Sequence, residues 1–323
     1  MRFDMRLAEG ETPAQEMYEA ALDMTEWADR HNCLAVVFSE HHASPDGYLP
    51  APLLMVAAAA ARTQRVQIQV AALIATLRNP VQTAEELAVL DIMSGGRVSA
   101  VLGMGYRQAE YDLYDIPMQE RGARLEEAIR IFHRAWAGEP VRVGGATGDI
   151  RVTPRPLTPG GPPLFLGGGT PAAVRRAARL GLGMITERGG DLEELYLSEC
   201  RALGTEPGFF VSGGDETVAA AFVDRDPDAA WERLGPYLLR DARTYADWHV
   251  GAAKPLPGMV VDVTTVDDVR KAGRYRIFTP AEAVEQVRSH GSLALHPLCG
   301  GAPPELGWST LHLVEEEVIP NLA

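Results

Sequence analysis

Cysteine is scarce. The 323-residue chain has three, Cys33, Cys200 and Cys299, far apart and without a C-x-x-C pair. That spacing offers neither a disulfide framework nor a zinc cage and suits reduced thiols. Positive charge is also short: 30 Lys and Arg stand against 44 Asp and Glu, a formal net charge of -14. Such a balance argues against nucleic acid or an anionic membrane surface as a partner. Long apolar runs are missing too. The longest, APLLMVAAAAA at 51–61, is too short to span a bilayer and reads as a buried helix. The opening MRFDMRLAEG lacks the apolar core of a signal peptide, so a soluble, cytoplasmic protein is expected. No G-x-S-x-G elbow, Walker loop or early G-x-G-x-x-G turn occurs, which counts against acyl transfer, phosphoryl transfer and a Rossmann half.

What the chain does have is alternation. β-rich runs at 2–8, 34–40, 66–73, 98–105, 163–168, 182–187, 219–224 and 293–298 are separated by helical stretches, and a last helix lies near 304–320. Several runs are apolar on both faces, as a parallel sheet covered by helices requires. Eight strand–helix units most simply close into a (β/α)8 TIM barrel; a doubly wound open sheet is the alternative. One domain over 1–323 is expected. Two segments break the alternation, an inserted hairpin and loop at 139–162 and an irregular insertion at 249–279, both expected at the C-terminal face.

Three residues at the end of the second strand stand out: Glu40, His41 and His42, in FSEHH. In extended chain, Glu40 and His42 point one way and His41 the other. A single metal ion is then poorly served, and no H-x-H, H-E-x-x-H or carboxylate cluster completes a ligand set; no metal is expected. Histidines that only bond loop backbone are a second reading. A proton-handling imidazole, oriented by its neighbours, is the favoured third.

In PPLFLGGGTPAAVRRAARLG (162–181), glycines 167–169 end an apolar strand, Thr170 stands as N-cap and Pro171 opens a helix. Bare backbone and free N–H groups at a helix start suit a phosphate; a plain strand-to-helix turn is the alternative. After SGGR (94–97), Gly103 and Gly105 leave the fourth strand's end open to a flat ring, and Tyr106 and Arg107 begin a loop. Arg121, where that loop meets the next helix, is the better anion ligand; Arg124 reads as part of a solvated helix face. The aromatic stripe Trp231, Tyr237, Tyr245 and Trp248 reads as core more readily than as pocket. His296 reads as a satisfied interior histidine.

FSEHH, RNPVQTAEELAVLDIMSGGRV, ERGARLEEAIRIF, PPLFLGGGTPAAVRRAARLG and LHPLCGGAPPELGWSTLHLVEEEVIPNL occur in that order. In them the chain resembles the bacterial luciferase-like flavin monooxygenase superfamily, over nearly its whole length and most weakly across 205–279. The resemblance implies a barrel that binds a reduced flavin, or the deazaflavin F420, at its C-terminal face. By this likeness His41 is the catalytic histidine near the flavin's reactive edge and Glu40 the acidic residue before it, with His42 in support. Arg78 and Asn79 would line the ring, Gly103 and Gly105 would lie under it with Tyr106 beside them, and Gly167, Gly168, Gly169 and Thr170 would form the phosphate turn. Tyr48, Tyr245 and Trp248 are the candidate substrate pocket.

The chain also departs from luciferase. Met104 stands where a flavin-phosphate arginine is expected, Gly103 where a cysteine lies near the ring, and Gly169 where the phosphate turn is acidic. Arg121 and the strand-five turn would then hold the phosphate. The activity implied is an FMN-dependent monooxygenase. It would use reduced FMN from a partner flavin reductase, and O2, to oxygenate a small organic substrate through a C4a-peroxyflavin. The alternatives are an F420-dependent oxidoreductase moving hydride and a flavin-binding protein without catalysis. A homodimer is expected from the resemblance.

Overall fold

The computed structural model describes residues 1–8, 12–142, 150–188, 190–213, 217–249 and 263–322. In chain order the first half forms β1 (Arg2–Phe3), α1 (Ala14–Arg30), β2 (Ala35–Phe38), α2 (Pro52–Arg62), β3 (Gln67–Ile74), α3 (Pro80–Ser94), β4 (Val98–Gly103), α4 (Gln108–Leu113) and α5 (Arg121–Trp136). Then come β5 (Leu164–Gly167), α6 (Pro171–Leu180), β6 (Gly183–Thr186), α7 (Leu192–Leu203) and β7 (Phe210–Ser212). The last part holds β8 (Ala220–Val223), α8 (Pro227–Trp248), α9 (Val266–Ala272), β9 (Tyr275–Phe278), α10 (Pro280–His290) and α11 (Pro304–Leu313). No helix among the described residues is long and apolar enough to cross a membrane. The chain divides into two compact units.

One unit comprises Leu34–Ser44 and Leu49–Ser212. Its strands β2 to β7 pair in chain order, all parallel. Parallel neighbours need crossovers, and the α-helices between strands supply them, in the βα order expected. Helix boundaries follow local chemistry. Asn79 Oδ1 accepts the Val81 and Gln82 N–H groups at the start of α3, and Gly95, at φ 67°, ends that helix in the left-handed conformation. Arg97 of SGGR locks this end down. Its guanidinium donates to Ser94 O, Thr63 Oγ1 and O, Val66 O and Ala60 O.

The β3–β4 ladder is irregular: Ala71 pairs with Val101 and Leu73 with Leu102, so Ala72 is extra. This bulge, invisible in the sequence, explains Gly103. A Cβ there would lie 2.9 Å from Ala72 Cβ. In the expected 139–162 insertion, Val141 and Ile150 form an antiparallel bridge with reciprocal bonds of 2.8 and 2.9 Å; residues 143–149 lie outside the described residues.

The other unit comprises Met1–Cys33, Pro45–Tyr48 and Gly213–Ala323. β8 and β9 pair in parallel, and α8 packs Trp231, Leu234 and Leu238 against Phe222 and Ile277. Helix α1 buries Met17, Ala20, Ala21, Met24, Trp27 and Ala28, the stripe its 3.6-residue period predicts.

Three expectations need correction. The strand at 2–8 stops at Phe3 because Met5 takes φ 60°. The strand at 293–298 reduces to one bridge, Leu295 to Ala221, before glycines 300 and 301 turn the chain with positive φ. The 249–279 segment is not irregular over its described part. It holds α9, started by a Thr265–Asp268 capping box, and β9; residues 250–262 lie outside the described residues. Strand β7 was likewise not expected.

Candidate active site

Every strand of the first unit from β2 to β5 ends in a segment carrying one of the expected residues, and C-terminal strand ends are where parallel sheets place ligands. Past β2, Glu40, His41 and His42 are all buried. They face different partners, as alternation predicts. Glu40 Oε1 accepts from Arg78 Nη2 at 2.6 Å and lies 3.0 Å from His42 Nε2, while Oε2 accepts from the Ile74 N–H at 2.6 Å. The Tyr114 hydroxyl lies 3.0 Å from His42 Nδ1.

His41 faces Glu110, a residue the sequence reading missed. Glu110 Oε1 lies 2.7 Å from His41 Nδ1 and accepts from the His42 N–H at 3.0 Å and Arg107 Nη1 at 3.3 Å. Its Oε2 is buried and has no hydrogen-bond partner among the described residues. Burial pushes this carboxyl up, but the bond and charge of His41, the His42 amide and Arg107 outweigh it and hold it below its ordinary value. The Tyr106 hydroxyl lies 3.2 Å from His41 Nε2, with its ring edge-on to the imidazole. Arg107 also donates to the His42 carbonyl at 2.5 Å. Three or more His, Cys, Asp or Glu side chains able to share a metal ion do not occur among the described residues.

Small residues lie beside these groups. Ala71 and Ala72 of the bulge and Gly103, Gly105, Gly167 and Gly169 are half-buried, leaving bare backbone along three consecutive strand ends. Thr76 Oγ1 donates to Met104 O at 3.0 Å, and the Tyr111 hydroxyl donates to the same carbonyl. Arg121 Nη1 reaches Gly105 O at 3.3 Å. Arg124 is not solvated as expected: its Nε donates to Thr76 O at 2.8 Å. Asn79 is exposed and its side chain is spent on capping α3.

At the β5 end Gly168 takes φ 134°, a conformation that favours glycine, and Thr170 Oγ1 accepts the Ala173 N–H at 3.2 Å to cap α6. A second cation stands here. Arg188, just past β6, donates through Nη1 to Gly169 O at 3.3 Å. The sequence reading missed it because the contact joins two strand ends nineteen residues apart.

Tyr48, Tyr245 and Trp248 belong to the other unit, where they surround a guanidinium of their own chain. Arg6 Cζ lies 4.8, 4.8 and 5.2 Å from the three ring centroids. Asp4, Asp46 and Asp241 each lie 3.4 Å from the fully buried Arg6. The three aromatics are together, as expected, and each turns one face toward Arg6. His296 is buried with Nε2 3.5 Å from Asp4 Oδ2 and without a hydrogen bond there, so it is less fully satisfied than expected.

A family model described as Luciferase-like monooxygenase matches residues 2–288. A protein of Beutenbergia cavernae named F420-dependent glucose-6-phosphate dehydrogenase is 36% identical over 301 residues, covering 88% of each chain. The solved structure of monooxygenase RslO1 from Streptomyces bottropensis matches with TM-score 0.75 and 25% identity, over 100% of this chain and 99% of that one. An F420-dependent secondary alcohol dehydrogenase in complex with an F420-acetone adduct shares the fold at TM-score 0.67 and 18% identity, with 95% of each chain covered.

Proposed function

Because the chain belongs to the luciferase-like monooxygenase family, we propose that it is an F420-dependent oxidoreductase that moves hydride between the deazaflavin and a small hydroxylated substrate. The observation that carries this reading is the Glu110–His41 pair beside bare strand ends. Oxidising an alcohol removes a hydride from carbon and a proton from oxygen, and a buried imidazole oriented by a carboxylate is suited to take the proton. The name of the relative supports F420 over FMN.

The residues fit such a cofactor. Ala71, Ala72, Gly103 and Gly105 offer a floor without side chains for a flat ring, and the orphaned Glu110 Oε2 is a buried acceptor awaiting a donor. The α6 start with Gly168, Gly169 and Thr170 would take the phosphate, with Arg188 and Arg121 adding charge. When bound, the deazaflavin supplies a carbon that accepts or returns hydride. His41 Nε2 holds the proton, Glu110 fixes the ring and balances its charge, and the His41 bond and charge, with the His42 amide and Arg107, keep Glu110 ionised. Glu40, tied to Arg78 and the Ile74 amide, holds the β3 end in place. The proposal carries with it the expected single (β/α)8 barrel domain and homodimer.

The test is anaerobic incubation with oxidised F420 and a panel headed by glucose 6-phosphate and simple secondary alcohols, following loss of the oxidised cofactor's absorbance. Bleaching with one of them supports the reading; none with any member counts against it. The monooxygenase reading is favoured by one observation, the higher TM-score to monooxygenase RslO1. Substrate-dependent oxygen uptake with reduced FMN and a partner reductase would select it instead.

A further inference from the structure

His41 has two ring nitrogens, and both are engaged. Glu110, held ionised, can only accept, so Nδ1 carries the hydrogen and Nε2 presents its single lone pair. That lone pair faces the Tyr106 hydroxyl at 3.2 Å. His42 is arranged the other way round: Glu40 lies at its Nε2 and the Tyr114 hydroxyl at its Nδ1. The adjacent histidines are therefore fixed as opposite tautomers, each by its own glutamate and each closed by a tyrosine.

A substrate hydroxyl that used His41 directly would have to displace Tyr106. The segment that carries Tyr106 resists this. Met104 O is bound by Thr76 and Tyr111, Gly105 O is bound by Arg121, and Gly105 turns the chain at φ 71°. The Tyr106 ring packs edge-on against the imidazole at 5.4 Å between centroids. A hydroxyl anchored in this way is placed to pass a proton rather than to leave.

We propose that Tyr106 is the catalytic group that meets the substrate, and that His41 exchanges its proton through it. The proposal rests on the hydride-transfer reading. In the oxidising direction the carbinol hydrogen leaves with its electron pair to the bound cofactor. The substrate O–H bond breaks, its proton passes to the Tyr106 oxygen, and the Tyr106 proton passes to His41 Nε2. The substrate is left as a carbonyl compound, and the imidazolium faces the Glu110 carboxylate. In reduction the same steps run backwards.

The test compares the full chain with Tyr106→Phe and Tyr114→Phe by 15N-histidine NMR without cofactor, then by kinetics. Tyr106→Phe is expected to move the His41 Nε2 resonance and leave His42 in place; Tyr114→Phe should move His42 Nδ1 instead. With the panel substrate that turns over, Tyr106→Phe should lower kcat by about a hundredfold, shift its pH profile and leave KM nearly unchanged. An unmoved His41 Nε2 resonance, or wild-type kcat with an unchanged pH profile, overturns the relay. If the wild type turns over none of the panel, the hydride reading fails separately. The NMR comparison then decides alone: a moved Nε2 upholds the Tyr106–His41 link and an unmoved one overturns it.

Discussion

Replacing Glu110 with Gln keeps the shape of the side chain and removes its charge. In the wild type one oxygen takes His41 Nδ1 at 2.7 Å, the His42 amide at 3.0 Å and Arg107 at 3.3 Å. Hydrogen bonds to a charged group contribute roughly 1 kcal/mol more than neutral ones. With two of the three short, Glu110→Gln should cost about 2 kcal/mol of stability and lower the melting temperature by a few degrees. The pH dependence has a definite sign. The Glu110 carboxyl is held below its ordinary value, so its contribution is fully present above that ordinary value and is lost as pH falls through the lowered one. The gap in melting temperature should be constant near neutrality and close below about pH 4. Activity should suffer more than stability. A Gln amide can donate to Nδ1 and favour the wrong tautomer, so turnover should fall by roughly 10²–10⁴-fold. Thermal melts across pH, with single-turnover kinetics, check both. A variant with wild-type turnover and an unshifted melt would refute the role given to this carboxylate.

Other perturbations act elsewhere. Gly103→Val should abolish cofactor binding in a fluorescence titration and cost about 1–3 kcal/mol, because its Cβ meets Ala72 at 2.9 Å. Arg188→Ala should weaken F420 binding by about tenfold or more while leaving affinity for a ring analogue lacking the phosphate unchanged. Arg6→Met should destabilise the chain by about 3–5 kcal/mol in urea melts, since Asp4 and Asp241 would stay buried beside an apolar side chain.

Much of this was legible in the chain because it is local. Apolar runs pointed to β2 through β6, and Thr170–Pro171 marked a helix start that the structure reproduces to the residue. His41 and Glu40 declared themselves by their place at a strand end. What stayed hidden depends on contacts between distant segments. Glu110 is 69 residues from His41 in sequence and sits on α4, a helix too short to show a period. The bulge at Ala72 is a matter of register, which a run of alanines does not record. Arg124 reads as a surface residue until Thr76 O is found beside it. β7 is only three residues long, too short for alternation to be recognised.

Equilibrium titration with oxidised F420, reduced FMN and FAD, read by cofactor and protein fluorescence, tests the central claim most directly. Saturable binding of F420 well ahead of the flavins, lost in Gly103→Val, is the predicted result. Tighter binding of reduced FMN, or of none of the three, would contradict it.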